Sequence, residues 1–468
     1  MQLTDAAEAI GLVIGGSGTP IPGTDYVDAA NDLYIDNPLH PIYPGTTYPG
    51  VLANGLFTPE GLYPLDGINV LRFNFPNDAT GFPAQSTSVG QGLTILDNNI
   101  QANLPATSTV FGYSQSATIA SYEMDKLDPS GTPSDLPVQF LLIGDPSAPN
   151  GGLLERFAGY ETTSGETHAL PLNLPSLGFS FNSVTPSDDF TTSIYSMEYD
   201  GFTDFPRYPI NLLADLNAFL GIKEIHGTYL NGGVNGSGPT PEQIADAQLL
   251  PGSEDATTDP CTDCLTNYYM IDETPPLVAL LPKPLQDLLG PDLTMLINLG
   301  YGNPDFGYST APANVPTPFG LFPDVDLSTV FKDLVSGAQQ GSAAFEADMS
   351  NPAAWAMPVA TSGSTDAVTH AADPASLTDI VNALSSAASS ASGAVLGTAD
   401  IINALVSSVP NYNLSLFVDN LQNGDLLDAF GLPVAANTAI FTLAAGFELQ
   451  IITNAISDIQ ADFANIGL

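Results

Sequence analysis

Ser114 is the residue whose type and setting point most directly to chemistry. It lies in Val110-Phe-Gly-Tyr-Ser-Gln-Ser-Ala117, after an apolar run rich in β-formers and before a helix-like run, Thr118 to Leu127. A serine between a strand and a helix, with glycine two residues ahead, reads as a nucleophile elbow, a strained turn that pushes the hydroxyl out of the sheet. The usual pattern is G-x-S-x-G, and Ser116 holds the last position here. By itself the match also fits an ordinary serine-rich turn. An acyl-transferring serine needs an imidazole within hydrogen-bond reach and a carboxylate that fixes the imidazole tautomer. Four histidines are available. His40 precedes the serine, His168 sits in a polar loop, and His370 belongs to a compositionally different C-terminal region. His226 is the preferred base. The acid comes from Asp200-Gly-Phe-Thr-Asp204-Phe-Pro206 at the end of an alternating run. Asp204 is preferred and Asp200 is the alternative, while Asp145 reads as an Asp-Pro turn. The order serine, acid, histidine is that of one common triad arrangement.

Such a triad also needs two N–H donors aimed at the developing oxyanion. One would be the amide of Gln115. The other would come from Gly15-Gly-Ser-Gly-Thr-Pro20, with Ser17 the best candidate. That loop lacks G-K-[ST], G-x-G-x-x-G and a following helix-forming run, so a phosphate-cradling role is weak.

The elements that would position these residues follow a strand-helix rhythm. Gly11–Gly15 reads as a short buried strand and Tyr26 to Pro64 as a long covering loop. Ile68–Phe75 is expected as a strand and Val89–Leu104 as an amphipathic helix. The elbow strand and helix come next, then a buried strand at Val138–Ile143. A Gly/Pro-rich loop runs from Ser147 to about Pro186, followed by a strand at Thr192–Tyr199. A helix is expected at Asn211–Leu220, broken by Gly221 and Ile222, with a loop over Lys223–Tyr229. This rhythm predicts a parallel α/β sheet with right-handed crossovers.

Bulk composition narrows the function. The 468 residues contain 7 Lys+Arg against 51 Asp+Glu, a formal net charge of -44, and only 12% are charged. Such a surface repels nucleic acid and anionic headgroups, so nucleic-acid binding is excluded. Two cysteines cannot form a disulfide framework. Cys261-Thr-Asp-Cys264 lacks further Cys or a nearby His for a zinc site and is expected as a local disulfide, which fits an exported protein. No metal or cofactor is expected. Met1-Gln2 runs into Leu3–Ala6 without a basic n-region, so a cleaved leader is not expected there. The apolar stretch Val434–Phe447 stops at Glu448, too short for a membrane span.

With these motifs in order, the chain resembles the PE-PPE domain family of mycobacteria, serine hydrolases related to cutinases. The resemblance is carried by Val13-Ile-Gly-Gly-Ser-Gly-Thr-Pro20, Phe111-Gly-Tyr-Ser-Gln-Ser-Ala117, Gly144-Asp-Pro-Ser-Ala-Pro-Asn-Gly-Gly152, Tyr199-Asp-Gly-Phe-Thr-Asp-Phe-Pro-Arg-Tyr-Pro209 and His226-Gly-Thr-Tyr229. A later block, Pro291 to Tyr308, resembles the end of that domain. The resemblance covers about the first two thirds of the chain, and its elbow is typically G-x-S-x-S, which accounts for Ser116. It implies an α/β-hydrolase fold, a Ser-Asp-His triad and esterase activity on acyl esters, with some members acting as acyltransferases that build envelope glycolipids. It also implies a secreted or envelope-associated protein. No PE or PPE helical region precedes the domain here, so the family's usual export route is not expected.

The expected organisation is an α/β-hydrolase-type domain over residues 1–310 and a mainly helical, Ala/Ser/Leu-rich region over 311–468. Helical patterns occur at Ser328–Met349, Leu377–Val406 and Leu414–Ile466. Gly393 and Gly397 interrupt the second, Pro410 separates it from the third, and Pro433 divides the third. This region reads as an accessory packing on itself or on the hydrolase, or as a lipid-facing or lid element. The expected activity is a serine esterase or lipase working through an acyl-enzyme. An acyltransferase onto a trehalose-type glycolipid acceptor and a non-catalytic envelope protein are the alternatives. The partner is an acyl ester or lipid, with envelope-lipid contact through the C-terminal region and no oligomeric state assigned.

Overall fold

Predominantly apolar runs with no continuous polar face form strands covered on both sides. Five such runs build the centre of the molecule: β1 (Ile10–Ile14), β3 (Ser108–Tyr113), β4 (Val138–Ile143), β5 (Thr192–Met197) and β7 (Thr266–Ile271). Two edge strands, β2 (Leu52–Leu56) and β6 (Gln248–Leu249), complete the sheet. The computed structural model describes residues 10–35, 52–67, 70–261, 264–348, 352–356, 377–464 and 466. His40, His370 and the stretch considered for a leader lie outside them.

The sheet runs β6-β7-β5-β4-β3-β1-β2. Every neighbouring pair is parallel except β6 with β7. Alternate side chains feed two cores. Leu12, Val110, Phe140, Leu142 and Ile194 face one side with Val89, Leu96 and Ile119 of the crossover helices. Val13, Phe111, Leu141, Ile143 and Tyr195 face the other, with Ala214 and Ile297. The helices are α1 (Ser88–Asn103), α2 (Gln115–Leu127), α3 (Leu212–Glu224) and α4 (Lys283–Asn298). After β1 the chain turns outward to β2, whereas from β3 it progresses to β4, β5 and β7. The order therefore reverses between β1 and β3, where an open α/β sheet opens a crevice for ligand.

Several sequence expectations change. The run 68–75 is not a strand: among its described residues only Arg72 makes an isolated bridge, to Thr87. Irregular backbone bonds and side chains hold this segment together: the N–H groups of Asn74 and Phe75 both donate to the Gly178 carbonyl (3.1 Å each). Asn74 donates to the Ser180 carbonyl (2.8 Å) and accepts from its N–H (2.8 Å), and Arg72 donates to the Pro175 carbonyl (3.1 Å). The strand next to β1 is β2, inside the expected covering loop. Gly221 does not end α3, which continues to Glu224.

The C-terminal region is helical: α5 (Leu327–Asp348), α6 (Leu377–Asn403), α7 (Val409–Asn423) and α8 (Leu426–Ala464). A widened turn, Ala404–Ser408, joins α6 to α7. Pro410 sits in the first turn of α7, where its missing N–H is not required, so it does not separate the helices. The break comes at Gly424, whose φ of 84° terminates α7. Pro433 lies inside α8, and Gly393 and Gly397 lie inside α6. A Cβ on Gly397 would come within 3.1 Å of Pro64 Cβ, so that glycine permits close packing rather than ending the helix. Ala404, Leu416, Leu432, Ala436, Ile440 and Leu443 belong to the same apolar core as β3 and β4. Helices α6–α8 thus share one apolar core with the sheet and its crossover helices. Helix α8 continues past Glu448, which accepts from Thr398 Oγ1 (2.6 Å). It and the stretch 378–423 are long and apolar enough to cross a membrane by length and composition, but both contribute a face to the protein core.

Candidate active site

The elbow forms because three small residues let strand and helix fold back on each other. Ser114 takes φ 59°, ψ -116°, a conformation few non-glycine residues adopt. Its N–H donates to the Ile143 carbonyl (3.1 Å). A Cβ on Gly112 would lie 2.9 Å from the Ser116 carbonyl oxygen and 3.0 Å from Ala117 Cα, so glycine is required there. Ser116 Oγ accepts from the Tyr113 N–H (2.7 Å) and reaches the carbonyls of Tyr113 (3.0 Å) and Ile14 (3.3 Å). Serine in place of the usual last glycine therefore ties the elbow to the ends of β1 and β3.

His226 follows α3 in a single 3-10 turn, His226–Thr228. Its Nε2 lies 2.8 Å from Ser114 Oγ and its Nδ1 lies 2.7 Å from Asp200 Oδ2. With the proton on Nδ1, the ring donates to the carboxylate and accepts from the serine. All three side chains are buried, Asp200 completely. Asp200 is further held by Tyr229 Oη, which donates to Oδ2 (2.9 Å), and by the Phe202 N–H, which donates to Oδ1 (3.1 Å). The structure thus places Asp200, the alternative acid, against His226 instead of Asp204. Asp204 Oδ2 accepts from the Tyr199 N–H (2.9 Å) and braces a turn in which Tyr199 has φ 66°. Burial pushes the Asp204 carboxyl well above its usual range.

Glycines bring acid and base together. A Cβ on Gly221 would sit 1.8 Å from the Tyr199 carbonyl oxygen, and one on Gly201 would sit 2.3 Å from that of Ala218. Helix α3 therefore lies directly on the turn that carries Asp200, and its end delivers His226 beside it. Gly144, at φ 53° after β4, clears the other side. A Cβ there would come within 3.1 Å of His226 Cε1 and of Tyr229 Cε2. Tyr113 Oη donates to the His226 carbonyl, and the Phe202 ring meets the imidazole edge-on at 4.6 Å. Gly144, Tyr113 and Tyr229 lie inside the motifs that carry the family resemblance, but no individual role followed from the sequence for any of them.

At the switch point the first loop reaches the elbow. Gln115 Nε2 donates to Ser17 Oγ (2.9 Å) and to the Gly61 carbonyl (3.2 Å). Gly16 lies against Ser114, where a Cβ would be 3.5 Å from Ser114 Cβ. Among the described residues, neither the Ser17 nor the Gln115 amide is used in a backbone hydrogen bond. Both therefore remain free as donors beside the serine. Among the described residues, Ser17, Ser114 and Gln115 are the only polar ones lining an otherwise apolar cavity of about 120 Å³.

The other candidates are occupied elsewhere. Asp145 is buried, accepts from the Ser147 N–H (2.9 Å) and Thr185 Oγ1 (2.6 Å), and burial raises its carboxyl to about 6. His168 stacks on Tyr160 at 4.9 Å and lies 3.5 Å from Asp419 of α7. Cys261 and Cys264 form a disulfide with a Cα–Cα separation of 5.7 Å.

Comparison with known proteins bears on the family. The PE-PPE domain profile matches residues 49–302. The PPE family protein PPE28 of Mycobacterium tuberculosis is 40% identical over 98% of this chain and 68% of its own length. Esterase PE16 of the same organism is 38% identical over 67% of this chain and 51% of its own length. Diacyltrehalose acyltransferase Chp2, also from M. tuberculosis, is 27% identical over 73% of this chain and 87% of its own length. The chain therefore spans two thirds of the first of these relatives and about half of the second. On the profile match and the likeness to PPE28, this chain belongs to the PE-PPE domain family.

Proposed function

We propose that the protein is a serine esterase of lipase type that acts on acyl esters. One observation carries this reading: the hydrogen-bonded line from Ser114 Oγ through His226 (2.8 Å) to the buried Asp200 (2.7 Å), at the sheet's switch point. Ser114 Oγ attacks the ester carbonyl carbon while His226 Nε2 takes its proton. Asp200 stabilises the imidazolium that forms. The amides of Gln115 and Ser17 are the donors for the oxyanion. Collapse of the tetrahedral intermediate breaks the ester C–O bond. His226 returns the proton to the leaving alcohol, and an acyl-Ser114 remains. Water, deprotonated by His226, then attacks the acyl carbon, the bond to Ser114 Oγ breaks as His226 returns the proton to Oγ, and the acid leaves.

Transfer of the acyl group to a glycolipid alcohol is the second reading. The burial of Ser114 beside a cavity with so few polar residues favours it, because a water-poor site slows hydrolysis of the acyl-enzyme. The likeness to the acyltransferase Chp2 is in line with it. Export to the envelope is part of the proposal, supported by the Cys261–Cys264 disulfide and the mycobacterial PE and PPE relatives.

The experiment is turnover of p-nitrophenyl esters by the full chain beside Ser114→Ala and His226→Ala. Wild-type turnover at least a hundredfold above both variants is expected. Equal rates in all three would end the esterase reading. Added trehalose that diverts acyl groups from free acid to sugar ester would establish transfer.

A further inference from the structure

The cavity beside Ser114 has two walls of different origin. One comes from the hydrolase portion and includes Leu154, Phe157, Leu174 and Phe181. The other comes from the C-terminal helices: Ile401 of α6, Ala404 of the widened turn after it, Val409 of α7, and Ile440, Leu443 and Phe447 of α8. The matched domain profile ends at residue 302, so this second wall lies outside it. It is also joined to the catalytic histidine by aromatic contact. Phe447 stacks on Phe202 at 6.4 Å, and Phe202 meets His226 at 4.6 Å.

The helical wall is fastened at both ends. At α6, Tyr63 Oη donates to Asp400 Oδ2 (2.6 Å), and Ser176 Oγ donates to the Asp400 carbonyl (2.8 Å). At the start of α8, Asp428 Oδ2 accepts from the Thr163 N–H (2.8 Å) and hydroxyl (3.0 Å). Farther along α8, Gly446 lies against the Phe219 ring of α3, where a Cβ would be 2.3 Å away. A wall tethered in this way keeps a fixed distance from Ser114, as a gauge of chain length must.

Resting on the esterase reading, we propose that helices α6–α8 form the outer half of an acyl-chain tunnel and set which chain length the enzyme accepts. The substrate class is an ester of an unbranched fatty acid, with its carbonyl at Ser114 and its tail along Leu443 and Ala404. Walls this apolar hold no ordered water and favour hydrocarbon. One water requires at least roughly 10–15 Å³ by the same measure, so a cavity of about 120 Å³ has room for a run of several methylenes. The preferred acyl chain is accordingly of medium length, longer than butyrate and shorter than palmitate. Each methylene that must stay in water weakens binding about fourfold, so losing room for three or four costs roughly a hundredfold.

Two readouts test this on the full chain. The first is kcat/KM for p-nitrophenyl butyrate, decanoate and palmitate with wild type, Leu443→Trp, Ala404→Phe and the outward-facing control Leu449→Trp. The decanoate-to-butyrate ratio should fall at least tenfold in both tunnel variants and stay within twofold in the control. The second requires no turnover. In a Ser114→Ala background, methyl decanoate should displace a fluorescent C18 fatty-acid methyl ester far better than methyl butyrate does. Adding Leu443→Trp should abolish that preference. Melting curves establish that each variant is folded, and the two tunnel substitutions guard against one of them misfolding. Equal losses at every chain length, an unchanged ratio in both tunnel variants, or no displacement by methyl decanoate would overturn the tunnel. If wild type turns over no ester, the esterase reading fails and the displacement result alone decides the tunnel.

Discussion

Asp200→Asn should stop catalysis by reversing the polarity of one histidine. The Asp200 carboxylate accepts on both oxygens: Oδ2 from His226 Nδ1 (2.7 Å) and Tyr229 Oη (2.9 Å), and Oδ1 from the Phe202 N–H (3.1 Å). An amide accepts on one side only. With its NH2 towards Phe202, two buried donors face each other, at a cost of about 1–3 kcal/mol. With its NH2 towards His226, the ring accepts at Nδ1 and carries its proton on Nε2, facing Ser114. In that tautomer it cannot take the serine proton. Either orientation also removes the negative charge that stabilises the imidazolium, a charge-assisted bond about twice as strong as a neutral one. Together these come to about 4–5 kcal/mol, or a fall in kcat on the order of 10³–10⁴-fold with KM little changed. Asp204→Asn is the contrast. Asp204 makes a single bond, from the Tyr199 N–H, which an amide oxygen preserves, and burial already raises its carboxyl towards the neutral form. Its kcat should fall less than tenfold. Steady-state hydrolysis of p-nitrophenyl butyrate, with fluorophosphonate labelling of Ser114 as a second readout, measures both. A hundredfold loss in Asp204→Asn with Asp200→Asn within tenfold of wild type would refute this reasoning.

Three other outcomes are expected. Gly144→Ala forces a side chain into φ 53° and places its Cβ 3.1 Å from His226 Cε1. Because small displacements of a reacting group are costly, kcat should fall about 10–100-fold with a modest loss of Tm, and full activity would show that the ring has more room than the geometry allows. Gly221→Ala puts a Cβ 1.8 Å from the Tyr199 carbonyl oxygen. The overpacking should cost at least about 1–3 kcal/mol in chemical unfolding, and an unchanged unfolding midpoint would contradict the close approach. Burial lifts Glu60 and Glu123 to about 8 and Glu198 to about 7, from an ordinary 4.5. Raised carboxyl values mean that the folded state binds these protons more tightly. Their contribution is therefore full below about pH 4.5 and is lost as pH rises through 7–8. Repulsion among 51 acids and 7 bases grows in the same direction. Tm should be higher at pH 5 than at pH 9, and the reverse order in calorimetry would rule this out.

What the sequence revealed and what it hid divide along physical lines. Strand β4 and helix α1 were legible because local apolar patterning determines them, and the elbow was legible because its strained turn restricts residue choice. The acid was not. Asp200 and Asp204 share one turn, and which of them faces His226 depends on how α3 lies across that turn, a contact between segments twenty residues apart. Gly221 misled for the same reason. In isolation a glycine reads as a helix breaker, yet here it admits the Tyr199 carbonyl to the helix surface. Residues 68–75 misled in the opposite sense, since a strand-like pattern was overridden by the pairing of Asn74 with Ser180. The seat of the C-terminal helices was hidden because their small, apolar faces match many surfaces, and only the assembled core selects one.

Helix α3 is the part through which these observations connect. Its inner face meets the Asp200 turn at Gly221, and its end presents His226. Its outer face receives α8, where Gly446 lies against Phe219 and Phe447 packs on Phe219 at 5.7 Å. The proposed chain-length wall and the proposed base thus share a support. A substitution that tilts α8 should move His226 as well as the tunnel, whereas one that only fills the tunnel should leave the imidazole in place. Phe447→Ala removes the half-buried ring that packs on both Phe202 and Phe219, and its truncation costs less than the ~3–5 kcal/mol of a fully buried phenylalanine. It should therefore lower kcat for every ester, butyrate included. Leu443→Trp should act chiefly on long chains, and this difference between neighbouring positions of one helix separates support of the base from measurement of the acyl chain.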